Sequence, residues 1–144
     1  MPTREQTDLV RASHELRLVL GRVIRRLRAE ATLPLRLTTV LSRLEREGPL
    51  GTSDLAERER MRPQSMAETV KELEAEGWVR RDADPSDGRR QLVTLTAGGR
   101  KALAADRGRR EDWLSETIAQ RLTAREQETL VRGIELLARL TDEE

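Results

Sequence analysis

The sequence predicts a mainly α-helical protein with one small β-hairpin: a winged helix-turn-helix flanked by N- and C-terminal dimerisation helices. Three observations lead there. Apolar residues recur at steps of three and four along most of the chain, the period of a helix buried on one side. In the middle, a short helical segment, a tight turn and a second helical segment are followed directly by two short extended runs around Asp84-Pro85 and Asp87-Gly88, both turn-forming pairs. The only aromatic residues in 144 are Trp78 and Trp113. A Leu/Val/Ile/Ala core of this kind favours helix-on-helix packing, and the long amphipathic ends are best buried against a second chain.

The elements follow in order. Over residues 8–31 the apolar set is Leu9, Val10, Leu16, Val19, Leu20, Val23, Ile24, Leu27 and Ala31, with Arg17, Arg22, Arg25, Arg26 and Arg28 between them, and Pro34 ends the helix. A second helix spans about 38–47, with Val40, Leu41 and Leu44 on one face, and stops at Gly48-Pro49. Thr52 or Ser53 is expected to cap a short helix over 54–60, with Asp54 in its first turn. Arg62-Pro63 opens the next helix, since proline at the first helical position gives up an N–H that would go unpaired anyway. Its buried stripe is Met66, Val70 and Leu73, and Gly77 is the left-handed stop. Strands over 78–81 and 91–95 enclose a basic loop. Thr96 caps a helix over 97–122 that carries Leu103, Trp113, Leu114 and Ile118. Thr123 and Glu126 form a capping box for the last helix, which carries Leu130, Val131, Ile134, Leu137 and Leu140 and ends in an acidic tail. These elements divide the chain into an N-terminal dimerisation helix over 1–34, a winged helix-turn-helix lobe over 35–96 and C-terminal dimerisation helices over 97–144. Leu9, Leu16, Leu20, Leu130, Ile134 and Leu137 are the expected dimer contacts.

Composition excludes several function classes. There is no cysteine, so disulfides, thiolate metal sites and thiol switches are out. No apolar run approaches the roughly 20 residues of a membrane span, and the polar start over residues 1–8 lacks the order of a signal peptide, so a cytoplasmic location is expected. Charged residues make up 37% of the chain but the net charge is only +1, so any argument for nucleic acid rests on where the arginines sit. Two tryptophans are too few for a platform that stacks single-stranded bases. His14, the lone histidine, reads as a packed or hydrogen-bonded residue near the first helix's apolar face. It makes a transition-metal site improbable, and no metal or other cofactor is expected.

The central segment carries the candidate site. A short helix, a turn and a second helix form the unit that enters a DNA major groove. With Met66, Val70 and Leu73 inward, positions 64, 65, 68, 69, 71 and 72 are expected to face out. Gln64 has the two-point geometry that reads adenine, Ser65 and Thr69 reach base edges or phosphates, and Glu68 accepts from a cytosine amino group or repels phosphate. Arg62 and Lys71 neutralise phosphates, and Pro63 sets the helix start, where a phosphate is favoured. Thr52 and Ser53 complete the expected contacts. Arg89 and Arg90 sit at the hairpin tip, where a guanidinium enters a narrow minor groove, and Asp87 is placed to orient Arg89 through a charge-assisted hydrogen bond.

Leu55-Ala56-Glu57, Arg62-Pro63-Gln64-Ser65-Met66, Leu73-Glu74-Ala75-Glu76-Gly77, Asp84-Pro85-Ser86-Asp87-Gly88-Arg89-Arg90 and Leu95-Thr96 together resemble the MarR family of transcriptional regulators. The wing segment 84–90, followed at the expected distance by Leu95-Thr96, is the most specific part. The resemblance implies an interlocked homodimer, the 62–77 helix of each subunit in a major groove and Arg89 in the minor groove, steadied by Asp87. Two-fold symmetry then asks for a near-palindromic operator with half-sites roughly 34–36 Å apart. It also implies release of DNA by a small phenolic or carboxylated effector lodged between the dimerisation helices and the DNA-binding lobe. Two sites depart from the family pattern: Glu68, where basic or small residues are common, and Arg60-Met61, where a glycine often makes the turn.

Two rival function classes fit the sequence less well. An enzyme would need a nucleophile with its base, a phosphate-cradling glycine loop or metal-ligand spacing, and none is legible. A winged-helix protein-interaction scaffold without specific DNA binding would not need a polar recognition face and a basic wing together.

Overall fold

The computed structural model describes residues 1 and 3–141; the acidic tail at 142–144 lies outside the described residues. Six helices and one hairpin follow in the order α1 (Arg4–Glu30), α2 (Leu35–Glu47), α3 (Thr52–Arg58), α4 (Pro63–Ala75), β1 (Val79–Ala83), β2 (Gln91–Leu95), α5 (Ala97–Arg121) and α6 (Ala124–Ala138). The chain divides into two compact units. One holds residues 31–108, the other residues 1–30 together with the chain from Arg109 onward.

The 31–108 unit has the hydrophobic core. Val40, Leu41 and Leu44 of α2 meet Leu55 of α3, Met66, Val70 and Leu73 of α4, Val79 and Val93 of the hairpin and Leu103 of α5. Each such side chain contributes about 1.5–3 kcal/mol through loss of apolar surface from water. Helix α2 begins at Leu35, ahead of the expected 38, because Pro34 serves as its N-cap: the Pro34 carbonyl accepts from the N–H groups of Leu37 (3.0 Å) and Thr38 (3.2 Å). Helix α3 also begins early. Gly51, not Thr52 or Ser53, is its N-cap, and no side chain caps it. It ends at Arg58 rather than 60, because Arg60 takes a left-handed conformation (φ 52°) and the Met61 N–H turns back to the Ala56 carbonyl at 2.9 Å. A non-glycine residue pays a steric cost there.

Helix α4 starts at Pro63 and ends as the sequence predicts, with Gly77 left-handed (φ 75°) and the Trp78 N–H returning to the Leu73 carbonyl at 3.0 Å. The strands pair antiparallel from Val79 opposite Leu95 to Ala83 opposite Gln91, and Leu50 of the α2–α3 connection bridges to Val93. The hydroxyl of Thr96 donates to the Gly77 carbonyl (2.6 Å) and accepts from the Gly99 N–H (3.1 Å), joining the end of α4 to the start of α5. Gly99 is buried where α5 crosses Trp78. Asp106 of α5 is buried as well, and one of its carboxylate oxygens accepts from the Thr32 N–H (2.8 Å), the Leu33 N–H (3.0 Å) and the Thr32 hydroxyl (3.2 Å).

The other unit buries little within one chain. α1 and α6 contain no buried residue. Leu9 is 68% exposed and Ile134 55%; Leu20 is also exposed, and Leu16, Leu130 and Leu137 are half-buried. α1 begins at Arg4, before the expected 8, because Thr3 and Gln6 make their own capping box: the Thr3 N–H reaches the Gln6 amide oxygen at 2.8 Å, and the Gln6 N–H reaches the Thr3 hydroxyl at 3.3 Å. α6 opens on the predicted Thr123–Glu126 box. The Arg26 guanidinium lies 4.9 Å from the centre of the Trp113 ring, and His14 is exposed.

Candidate nucleic-acid interface

Helix α4 sorts its residues by side. Met66, Thr69, Val70 and Leu73 are buried; Gln64, Ser65, Glu68 and Lys71 are exposed. Thr69 corrects the sequence reading, which placed it outward. At 3.6 residues per turn, positions 69 and 70 fall about 60° and 40° to either side of Met66, so both lie within one wide inward stripe. Thr69 is only 4% exposed, and its hydroxyl is satisfied by the Ser65 carbonyl at 3.0 Å. Glu72 faces out but is held by Arg36 of α2 through two hydrogen bonds (2.5 and 3.1 Å). That contact keeps the Glu72 carboxyl below its ordinary pKa and raises Arg36 above its own. Arg62, the N-cap residue, and Lys71 are exposed and have no ion pair among the described residues. At the start of α3, Thr52 is half-buried and Ser53 exposed.

The hairpin is pre-organised by its own polar groups. The Asp84 carboxylate accepts from the Ser86 N–H (2.9 Å) and the Ser86 hydroxyl (2.7 Å), and these bonds hold its pKa below the ordinary value. The Asp84 N–H donates to the Arg90 carbonyl (2.9 Å), and the Arg90 N–H to the Asp87 carbonyl (3.0 Å). Asp87 does steady Arg89, but through the backbone: its carboxylate accepts from the Arg89 N–H at 3.1 Å. The expected bond to the guanidinium is not formed.

The wing arginines then divide. Arg80 pairs with Asp82 (3.0 Å), Arg81 with Glu74 of α4 (2.8 Å) and Arg90 with Asp54 of α3. Arg90 therefore differs from the expectation of a solvent-facing tip residue: it folds back onto α3 and lies against Gly51. The exposed guanidinium of Arg89 has no ion-pair partner among the described residues. Sequence reasoning noted Arg60 only as a departure in the turn of the helix-turn-helix; the structure shows it there as an exposed cation without an ion pair among the described residues. Its signal was its position in that turn. Sequence reasoning passed over Asp54 as the partner of Arg90.

The family model described as "MarR family" matches residues 33–90. An uncharacterized HTH-type transcriptional regulator of Mycobacterium bovis is 34% identical over 136 residues, which covers 92% of this chain and 94% of the relative. The chain belongs to the MarR family. A crystal structure of a transcriptional regulator from Pseudomonas aeruginosa has a TM-score of 0.81 and 36% identity to this MarR-family chain, and covers 99% of it and 100% of that protein. The fold is also that of S. aureus MepR (F27L variant) solved bound to an oligodeoxyribonucleotide, with a TM-score of 0.70 at 19% identity over 90% of this chain and 98% of that one.

Proposed function

We propose that this MarR-family regulator binds double-stranded DNA sequence-specifically as a homodimer and represses transcription by occupying a pseudo-palindromic operator. In this reading the α4 face of Gln64, Ser65, Glu68 and Lys71 enters the major groove, Arg62 meets a phosphate, and Arg89 enters the minor groove. One observation carries it: in a hairpin whose other arginines are neutralised by Asp82, Glu74 and Asp54, Arg89 keeps its charge uncommitted at an exposed tip. The homodimer is supported by the exposed apolar residues of α1 and α6, including Leu9, Val10, Val131 and Ile134. A phenolic or carboxylated effector that releases the DNA belongs to the same reading, as does a cytoplasmic location.

The test is binding to the protein's own promoter region over a salt series. A protein neutralising Z phosphates loses log affinity against log salt with a slope of about −0.9Z, and it should prefer one sequence over random duplex by about a thousandfold or more. Arg89→Ala should weaken operator binding strongly and make the salt slope shallower by about one, with unfolding unchanged. A folded Arg89→Ala protein that binds like its parent, or a parent that treats all duplexes alike, refutes the proposal. Sedimentation of the free protein checks the dimer, and a ligand screen read out as operator affinity checks the effector.

A further inference from the structure

The proposal that Arg89 reads DNA leaves its neighbour unexplained, because Arg90 carries the same charge yet folds back onto α3. Its guanidinium is paired with Asp54 in the first turn of α3. It also lies over Gly51, the N-cap of that helix, so closely that a β-carbon there would stand 2.5 Å from one guanidinium nitrogen and 2.7 Å from Nε. Position 51 thus has to lack a side chain for the arginine to lie where it does. The same stretch is fastened by backbone bonds: the Leu50 N–H donates to the Val93 carbonyl (3.2 Å), and the Val93 N–H to the Leu50 carbonyl (2.7 Å). The Arg90 carbonyl and N–H meanwhile close the wing turn on Asp84 and Asp87. One residue therefore bonds both to the turn that presents Arg89 and to the helix that precedes the recognition helix.

We propose that Arg90 is a positioning residue for DNA binding: through Asp54 and Gly51 it fixes the wing against the helix-turn-helix, so that Arg89 and the α4 face meet one duplex in register, and it does not itself contact DNA. This rests on the DNA-binding reading above. The alternative is a phosphate-contacting arginine that Asp54 merely parks in the free protein. The two differ in sign. If Arg90 contacts phosphate, removing the Asp54 charge frees a cation and removes an anion, so binding tightens. If Arg90 positions the wing, removing the charge undocks it and binding weakens.

The experiment measures affinity of the full-length protein for its promoter operator and for random duplex across a salt series, with circular dichroism melts as a folding control. Asp54→Asn should weaken operator binding about three- to fivefold, the size expected from losing one solvent-exposed ion pair. Arg90→Ala should weaken it by a similar or somewhat larger factor, and the double variant should be no worse than Arg90→Ala alone. Random-duplex affinity should fall less than operator affinity, and the salt slope should move by well under one unit, unlike that of Arg89→Ala. Gly51→Ala supplies a second cycle: it displaces the guanidinium, so it should cost affinity in the parent and nothing in the Arg90→Ala background. Operator binding that is unchanged or tighter in Asp54→Asn, or a salt slope shallower by about one in Arg90→Ala, overturns the positioning role while leaving the DNA-binding reading standing. A parent without operator preference overturns both.

Discussion

Replacing Gly99 by alanine tests how closely α5 is laid against the hairpin. A β-carbon built there would overlap the Trp78 carbonyl oxygen outright and stand 2.7 Å from Leu95 Cδ1 and 3.0 Å from the Trp78 carbonyl carbon. Leu95 can yield by changing rotamer, but the Trp78 carbonyl is backbone and accepts the Thr96 N–H at 3.1 Å. The same exchange at Gly108, also in α5, meets nothing within 4 Å. Both substitutions gain about 1 kcal/mol of helix propensity, and only Gly99→Ala incurs the overpacking cost of about 1–3 kcal/mol or more. Gly108→Ala should therefore stabilise by up to about 1 kcal/mol, while Gly99→Ala should destabilise by up to about 2 kcal/mol, the overpacking cost less the propensity gain. Urea unfolding followed by helical circular dichroism, at one fixed protein concentration because a dimer's stability depends on it, separates them. A Gly99→Ala midpoint at or above that of Gly108→Ala would refute the close-approach argument.

Gln64→Ala should relax sequence preference by about 1–3 kcal/mol at one base pair and leave the others alone, read by competition with single-substituted operators; uniform weakening across all sites would remove Gln64 from base reading. Arg60→Gly should raise stability by up to about 1 kcal/mol, because glycine adopts the left-handed turn without the β-carbon penalty, and a lower unfolding midpoint would contradict it. The Glu126 carboxyl is held below its ordinary pKa by the Thr123 N–H and hydroxyl, so its contribution is present above the unfolded value of 4.5 and lost as pH falls through the lower folded value. Glu126→Gln keeps the capping geometry without the charge and should flatten stability against pH in that acid window; an unchanged acid limb would show that the box is not what titrates.

The parts of this fold readable in sequence are those set by local chemistry. Pro63 and Gly77 bracket α4 because one starts a helix cheaply and the other accepts φ 75°. Asp84, Ser86 and Asp87 make the wing turn from side chains within a few residues of each other. The readings that failed needed distant partners or finer geometry. Arg90 reads as a tip residue in sequence because Asp54, which pairs with it, lies in another helix. Thr69 reads as outward because a three-residue stripe understates how wide a face a packed helix buries. Thr52 and Ser53 have the chemistry of caps, yet Gly51 holds that position beneath the Arg90 guanidinium. The proximity of Gly99 to Trp78 is a tertiary contact that no local pattern announces.

The division of α4 into an inward set (Met66, Thr69, Val70, Leu73) and an outward set (Gln64, Ser65, Glu68, Lys71) has a consequence for how such a protein changes its target. The residues that hold the helix in place are not the ones that would recognise a site, so the second group can be rewritten while the first stays intact. Under the proposed reading of that outward face, a lineage with this scaffold would drift from one promoter to another by substituting solvent-facing side chains, and retargeting it by design would begin at those same four positions.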